Sequence, residues 1–162
     1  MTAQAETATT QLRHVVIVGG ASGIGAATAK LLASRRWRVT IADIDRELGR
    51  ATAENIGGTF VLCDVGDEAS IREAADAADS NHPVSGMVMC AAVFEEIGRA
   101  EDASIEVLDA VFRIGYRGTF LSNWVFAQRM ARRGGGAIVN LSSFGGLISS
   151  PSYSYGPMDL LE

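Results

Sequence analysis

The chain has 162 residues, 14 basic against 19 acidic, and a formal net charge of −5, a length that suits one domain around a single core. With 48% hydrophobic and 20% charged residues the composition excludes a disordered or fibrous protein. The acidic balance and scattered arginines argue against a nucleic-acid groove, which needs clustered cations.

Met1 to Gln11 is polar and Thr/Ala-rich, with neither the basic nor the apolar region of a secretory signal. Residues 1–12 therefore read as a disordered tail and 13–162 as the domain. No segment reaches the roughly 18 apolar residues of a membrane span, so a soluble, cytoplasmic protein with no membrane partner is expected. His14 to Val18 places four β-branched residues in a row, the mark of a strand buried on both faces. Gly19 to Gly25 is a glycine-rich turn, and Ile24 to Arg35 a helix whose end, with Arg35, Arg36 and Arg38, is solvated. Arg38 to Asp43 is a second strand, Asp45 to Ile56 a second helix, and Thr59 to Cys63 a third strand. Asp67 caps a third helix through Ser80, with Ile71, Ala74, Ala75 and Ala78 on one face. Gly86 to Ala92 is a fourth strand. Ser104 to about Arg132 is a long helical stretch with a bend expected at Gly115 and Gly118, and Ala137 to Ser142 is a fifth strand. Cys63 and Cys90, inside apolar runs, read as buried thiols of a reducing cytosol rather than a disulfide. Two histidines without a Cys/His cluster leave no structural zinc site.

Strand–helix alternation of this kind predicts an α/β fold: a Rossmann-like, doubly wound parallel sheet in three α/β/α layers. The expected strand order is 3-2-1-4-5, with ligands at the carboxyl ends beside the reversal between strands 1 and 4. The turn Gly19-Gly20-Ala21-Ser22-Gly23-Ile24-Gly25 falls at that reversal. Glycines there permit a tight turn and close approach to a pyrophosphate, while the following helix offers free N–H groups and a partial positive charge. Asp43, ending the second strand, is placed to accept hydrogen bonds from ribose hydroxyls and to repel a 2′-phosphate, which favours NAD over NADP. Asp64, after the third strand, is placed for the adenine. A methyltransferase using S-adenosylmethionine would share the glycine loop and the strand-2 acid, but the glycine spacing and the later Ser/Tyr cluster disfavour it.

These residues resemble the short-chain dehydrogenase/reductase family over Arg13 to about Tyr155. The family's T-G-x-x-x-G-x-G is similar to Val18-Gly19-Gly20-Ala21-Ser22-Gly23-Ile24-Gly25, with only the leading Thr lost. Its Asp-Val after strand 3 appears as Asp64-Val65, and G-x-I-V-N-I-S-S as Gly136-Ala137-Ile138-Val139-Asn140-Leu141-Ser142-Ser143. Its N-N-A-G stands here as Met89-Cys90-Ala91-Ala92, and V-N-L-x-G as Ile114-Gly115-Tyr116-Arg117-Gly118, so Gly115 falls where the family's catalytic asparagine would be.

The resemblance implies hydride exchange between a nicotinamide and an alcohol or carbonyl substrate. It implies Tyr155 as the proton-exchanging residue, with Tyr153 the weaker match, and Ser143 as hydrogen-bond donor to the same oxygen. Gly19, Ser22, Gly23, Ile24, Gly25, Asp43, Asp64, Val65 and Ala91 are the implied cofactor contacts, and no metal is implied. The family's lysine, four residues past the tyrosine, is replaced by Asp159; the one lysine, Lys30, falls in the first helix. An unperturbed Tyr, with a pKa of about 10, is only about 0.1% ionised at pH 7. A neighbouring cation lowers that pKa, and a carboxylate raises it. Family members also run longer, adding two strands, a substrate-covering loop and helices used in oligomers. The chain is thus expected to lack its C-terminal part, leaving strand 5 as an exposed apolar edge. Two functions follow from this reading: an NAD-dependent oxidoreductase, homo-oligomeric in its full-length form, or a catalytically silent NAD-binding fragment.

Overall fold

The computed structural model describes residues 13–93 and 104–143. Tyr153, Tyr155, Asp159 and the expected N-terminal tail lie outside these residues.

The sheet has five parallel strands: β1 (His14–Val18), β2 (Arg38–Asp43), β3 (Thr59–Leu62), β4 (Gly86–Met89) and β5 (Ala137–Asn140), in the order β3-β2-β1-β4-β5. The alternation of side chains along β1 feeds two cores. Val16 and Val18 join Met87, Met89, Ile71, Val125 and Phe126 on one face, while Val15 and Ile17 join Ala29, Val39, Ile41 and Ala53 on the other. The first face is covered by α3 (Glu68–Asn81) and α5 (Thr119–Ala131), the second by α1 (Gly23–Ser34) and α2 (Arg46–Asn55). All five residues of β1 are buried, which its unbroken β-branched run anticipates. The α3 face of Ile71, Ala74, Ala75 and Ala78 is also buried, and Asp67 caps α3 by accepting from the Ala69 N–H.

Strands 3, 4 and 5 are shorter than their apolar runs suggest, although the hydrogen bonding continues past their ends. Cys63 N–H still donates to Asp43 O, Cys90 N–H to Val18 O, and Leu141 N–H to Met89 O. At the edge of the sheet β5 pairs only with β4 among the described residues, and Val139 and Leu141 are exposed. The long helical stretch changes its winding across the two glycines. Its elements are α4 (Ile105–Ala110), a π-helical segment Val111–Gly118, and α5. Both glycines fall within the π segment, and such wider turns concentrate at functional sites.

At the opposite end of the sheet from the glycine loop, His14 is buried with both ring nitrogens engaged. Nδ1 lies 2.7 Å from His82 O and Nε2 lies 2.8 Å from Thr40 Oγ1, which in turn meets Thr59 Oγ1 at 2.8 Å. Burial pushes the imidazole below its ordinary 6.5, the His82 carbonyl partly opposes this, and Arg38 adds to the depression. The folded chain therefore binds a proton less readily than the unfolded one. Stability should fall as pH drops through 6.5 toward the folded-state value. Denaturant midpoints measured at pH 7.5 and pH 5 should show this loss, and His14→Gln should show a smaller one. Equal losses in both chains would assign the acid sensitivity elsewhere.

Candidate nucleotide site

The site starts from a steric requirement at the end of β1. Gly19 turns the chain at φ +77°, and a Cβ there would overlap the backbone of Cys90 and Ala91, with the Ala91 Cα only 2.6 Å away. Gly19 N–H donates to Ala42 O at 2.8 Å and Cys90 N–H to Val18 O at 2.7 Å, so the loop is seated across the carboxyl ends of β2, β1 and β4. Gly25, in the first turn of α1, rests on the Gly19 carbonyl, and a Cβ there would strike it. Gly23 differs: its φ is +53°, and nothing lies within 4 Å of where its Cβ would stand. The loop is therefore closed against the protein at Gly19 and Gly25 and open at Gly23.

The open side has the polarity an anion needs. Ser22 is the N-cap of α1 but makes no side-chain capping bond, and the first turn carries no acid to neutralise the helix terminus. Ile24, in that turn, is exposed. A pyrophosphate fits this cradle: open space over a glycine, backbone N–H groups at a helix start, and no acid in the first turn of that helix.

Asp43 ends β2 beside the loop, half-buried, and its carboxylate is already engaged. Oδ2 accepts from the Ala21 N–H at 2.9 Å and Oδ1 from the Asp45 N–H at 3.0 Å. Each carboxylate oxygen has a further lone pair with which to accept from a sugar hydroxyl. Ile44 follows immediately and is 65% exposed, an apolar surface next to the acid. Sequence reading passed over Ile44, although an isoleucine between two aspartates at a strand end is the signal that could have found it.

Asp64 Oδ1 accepts from the Gly66 N–H at 2.8 Å, and its own N–H donates to Ser70 Oγ at 2.9 Å, which stiffens the β3–α3 turn. Val65 turns its side chain into the core, where it and the Val65 carbonyl meet Gly118. Arg117 Nη1 donates to Gly66 O at 3.2 Å and the Arg113 guanidinium rests against Gly66. Both arginines come from the π segment, and the sequence offered no sign that they reach this turn.

The remaining expected residues are less closely gathered. Ser143 is exposed just beyond β5, at the same carboxyl end of the sheet. Gly115 lies in the π segment, with open space where a side chain would be. Cys63 and Cys90 are both free thiols. Burial, with Asp64 and Asp43 nearby, pushes Cys63 up to about 12, and burial also raises Cys90. Both are therefore held as neutral thiols at neutral pH, and neither is primed as a nucleophile. Among the described residues no three His, Cys, Asp or Glu side chains gather as a metal-binding group, and no helix is long and apolar enough to cross a membrane.

A doubly wound parallel sheet with a glycine cradle at the β1/β4 switch point and an acid at the end of β2 defines a Rossmann-type nucleotide-binding fold. The chain belongs to the short chain dehydrogenase family, whose sequence profile matches residues 13–155. It is 35% identical over 133 residues to a D-threitol dehydrogenase of Mycolicibacterium smegmatis, covering 79% of this chain and 51% of that protein. A (+)-cis,cis-nepetalactol synthase of Nepeta racemosa is 37% identical over 136 residues, covering 79% and 50%. A short-chain type dehydrogenase/reductase from Mycobacterium ulcerans superposes with a TM-score of 0.84 at 25% identity, covering 93% of this chain and 58% of that one. The chain spans about half the length of the curated relatives it matches.

Proposed function

We propose that this chain is the nucleotide-binding part of an NAD-dependent oxidoreductase that moves a hydride between nicotinamide and a small alcohol or carbonyl substrate. The observation that carries this reading is the cradle: a loop closed at Gly19 and Gly25, open at Gly23, with the Asp43 carboxylate beside it. Gly19, Ser22, Gly23, Ile24 and Gly25 would hold the pyrophosphate, and Ala91 forms the floor beneath Gly19. Asp43 would accept from the adenosine ribose and disfavour a 2′-phosphate, while Asp64 and the Val65 backbone border the adenine. When bound, the nicotinamide supplies the hydride acceptor or donor. Ser143 would hydrogen-bond the substrate oxygen and Tyr155 would exchange its proton.

A second reading has its own observation. Gly115 leaves open space where the family places its catalytic asparagine, and Asp159 stands in the place of the lysine. Both departures favour a chain that binds NAD and turns nothing over. A partner reading rests on the helical surface: Phe112, Tyr116, Phe120 and Trp124 are exposed at four-residue spacing, an apolar stripe suited to a second copy of the chain. Two free thiols support a reducing, cytoplasmic location.

NADH titration by fluorescence tests both functional readings, and no saturable binding at millimolar cofactor would refute both. Turnover of secondary alcohols with NAD, abolished in Tyr155→Phe, identifies the enzyme. Tight NADH binding with no turnover in either chain identifies the silent module.

A further inference from the structure

Ala21 lies in the middle of the glycine loop and is buried, and both of its backbone polar groups are held from outside the loop. Its N–H donates to Asp43 Oδ2 at 2.9 Å, and its C=O accepts from Thr52 Oγ1 at 2.9 Å. Thr52 is on α2, and its hydroxyl crosses to a carbonyl 31 residues away in sequence. A helical threonine more often satisfies its hydroxyl on its own preceding turn and is a poorer helix former than alanine. The bond to the loop is what this threonine contributes. The α2 terminus is itself tied to the same acid: Asp45 donates its N–H to Asp43 Oδ1 and caps α2 by accepting from the Glu47 and Leu48 N–H groups. The hydrogen bonds thus close a ring from Ala21 through Asp43, Asp45 and α2 to Thr52 and back to Ala21.

We infer that Thr52 is a positioning residue for the phosphate loop, clamping Ala21 together with Asp43 so that the loop is set before a pyrophosphate arrives. Holding the N–H and the C=O of one residue fixes the peptide planes on both sides of it. Each plane is rigid, so turning the Ala21 carbonyl toward α2 turns the Ser22 N–H away from it. A loop ordered in advance spends less of its binding energy on ordering. Asp43 therefore has two duties, ribose recognition and loop support, and Thr52 has only the second. The inference rests on the nucleotide-binding reading for its ligand, but the clamp can be measured without one.

Three chains decide it: wild type, Thr52→Val, which keeps the shape and loses the hydroxyl, and Thr52→Ser, which keeps the hydroxyl. In the ligand-free chain, amide hydrogen exchange at Ala21, whose N–H Asp43 holds, should quicken about fivefold in Thr52→Val, the equivalent of one ordinary hydrogen bond. Exchange in β1 should stay unchanged, and Thr52→Ser should restore the loop. Dissociation constants for ADP and NADH should rise together by a similar factor in Thr52→Val and return in Thr52→Ser. Unchanged loop exchange in Thr52→Val would overturn the clamp. So would quickened exchange with unchanged ADP affinity, or a serine variant as impaired as the valine one. A wild-type chain that binds neither ADP nor NADH would refute the nucleotide reading and the clamp's part in binding, while the exchange data would still establish or refute the clamp itself.

Discussion

Gly19→Ala should cost about 3 kcal/mol of stability, and Gly23→Ala should cost about half as much while weakening cofactor binding about tenfold or more. The two glycines share one loop and a positive φ, and they differ in what lies beyond their Cα atoms. At Gly19 a Cβ meets the backbone of Cys90 and Ala91, which β4 holds in register with β1. Backbone in a sheet cannot rotate aside like a side chain, so overpacking of about 1–3 kcal/mol adds to about 1–2 kcal/mol for the left-handed conformation. For a chain of this size that lowers the melting temperature by about 6–12 °C. At Gly23 the added methyl meets no protein atom, leaving only the conformational cost of about 1–2 kcal/mol. The same methyl occupies the space a pyrophosphate would take, so NADH affinity should fall about tenfold or more, a loss of about 1.4 kcal/mol. Thermal melts and NADH titrations of both variants separate the two effects. A Gly23→Ala chain binding NADH as wild type does would show that the open side of the loop is not the pyrophosphate site.

Asp43→Ala should weaken NADH binding by about 10- to 100-fold, the size expected for charge-assisted hydrogen bonds of about 1.5–3 kcal/mol. In the nucleotide-binding reading the acid both accepts from the ribose and repels a 2′-phosphate, so its removal should shrink the preference of NADH over NADPH. NADPH affinity itself should nevertheless fail to reach the wild-type affinity for NADH. The same substitution releases the Ala21 N–H and the Asp45 N–H, so the loop that receives either cofactor loses support. Paired titrations with NADH and NADPH measure the outcome. Full-strength NADPH binding in the variant would show that Asp43 acts by charge alone.

Much of this was legible because it is local. Four β-branched residues in succession at Val15 to Val18 suit a doubly buried strand, whatever surrounds them. Glycines at 19, 23 and 25 between a strand and a helix report a backbone that must turn sharply and pack closely. Asp67 and Asp45 declare helix starts through hydrogen bonds spanning only two or three residues. The site was less legible wherever its residues act across the fold. Nothing in the run around Arg113 and Arg117 indicates that they lie against the turn at Gly66. The π segment was equally hidden, since Gly115 and Gly118 signal weak helix without saying which winding replaces it. Ile44 showed no periodicity of its own, and its exposure depends on where β2 stops.

By itself the amino-acid sequence determined the alternation of strands and helices, the place of the glycine turn and the acid that ends the second strand. These follow from side-chain periodicity and from steric limits on single residues. Tertiary structure alone decided that the Gly19 turn lies against Ala91, and that Asp43 and Thr52 grip Ala21 from 22 and 31 residues away. The physical reason is reach. A hydrogen bond is directional over about 3 Å, and only the packing of α2 and β2 beside the loop brings those partners within it.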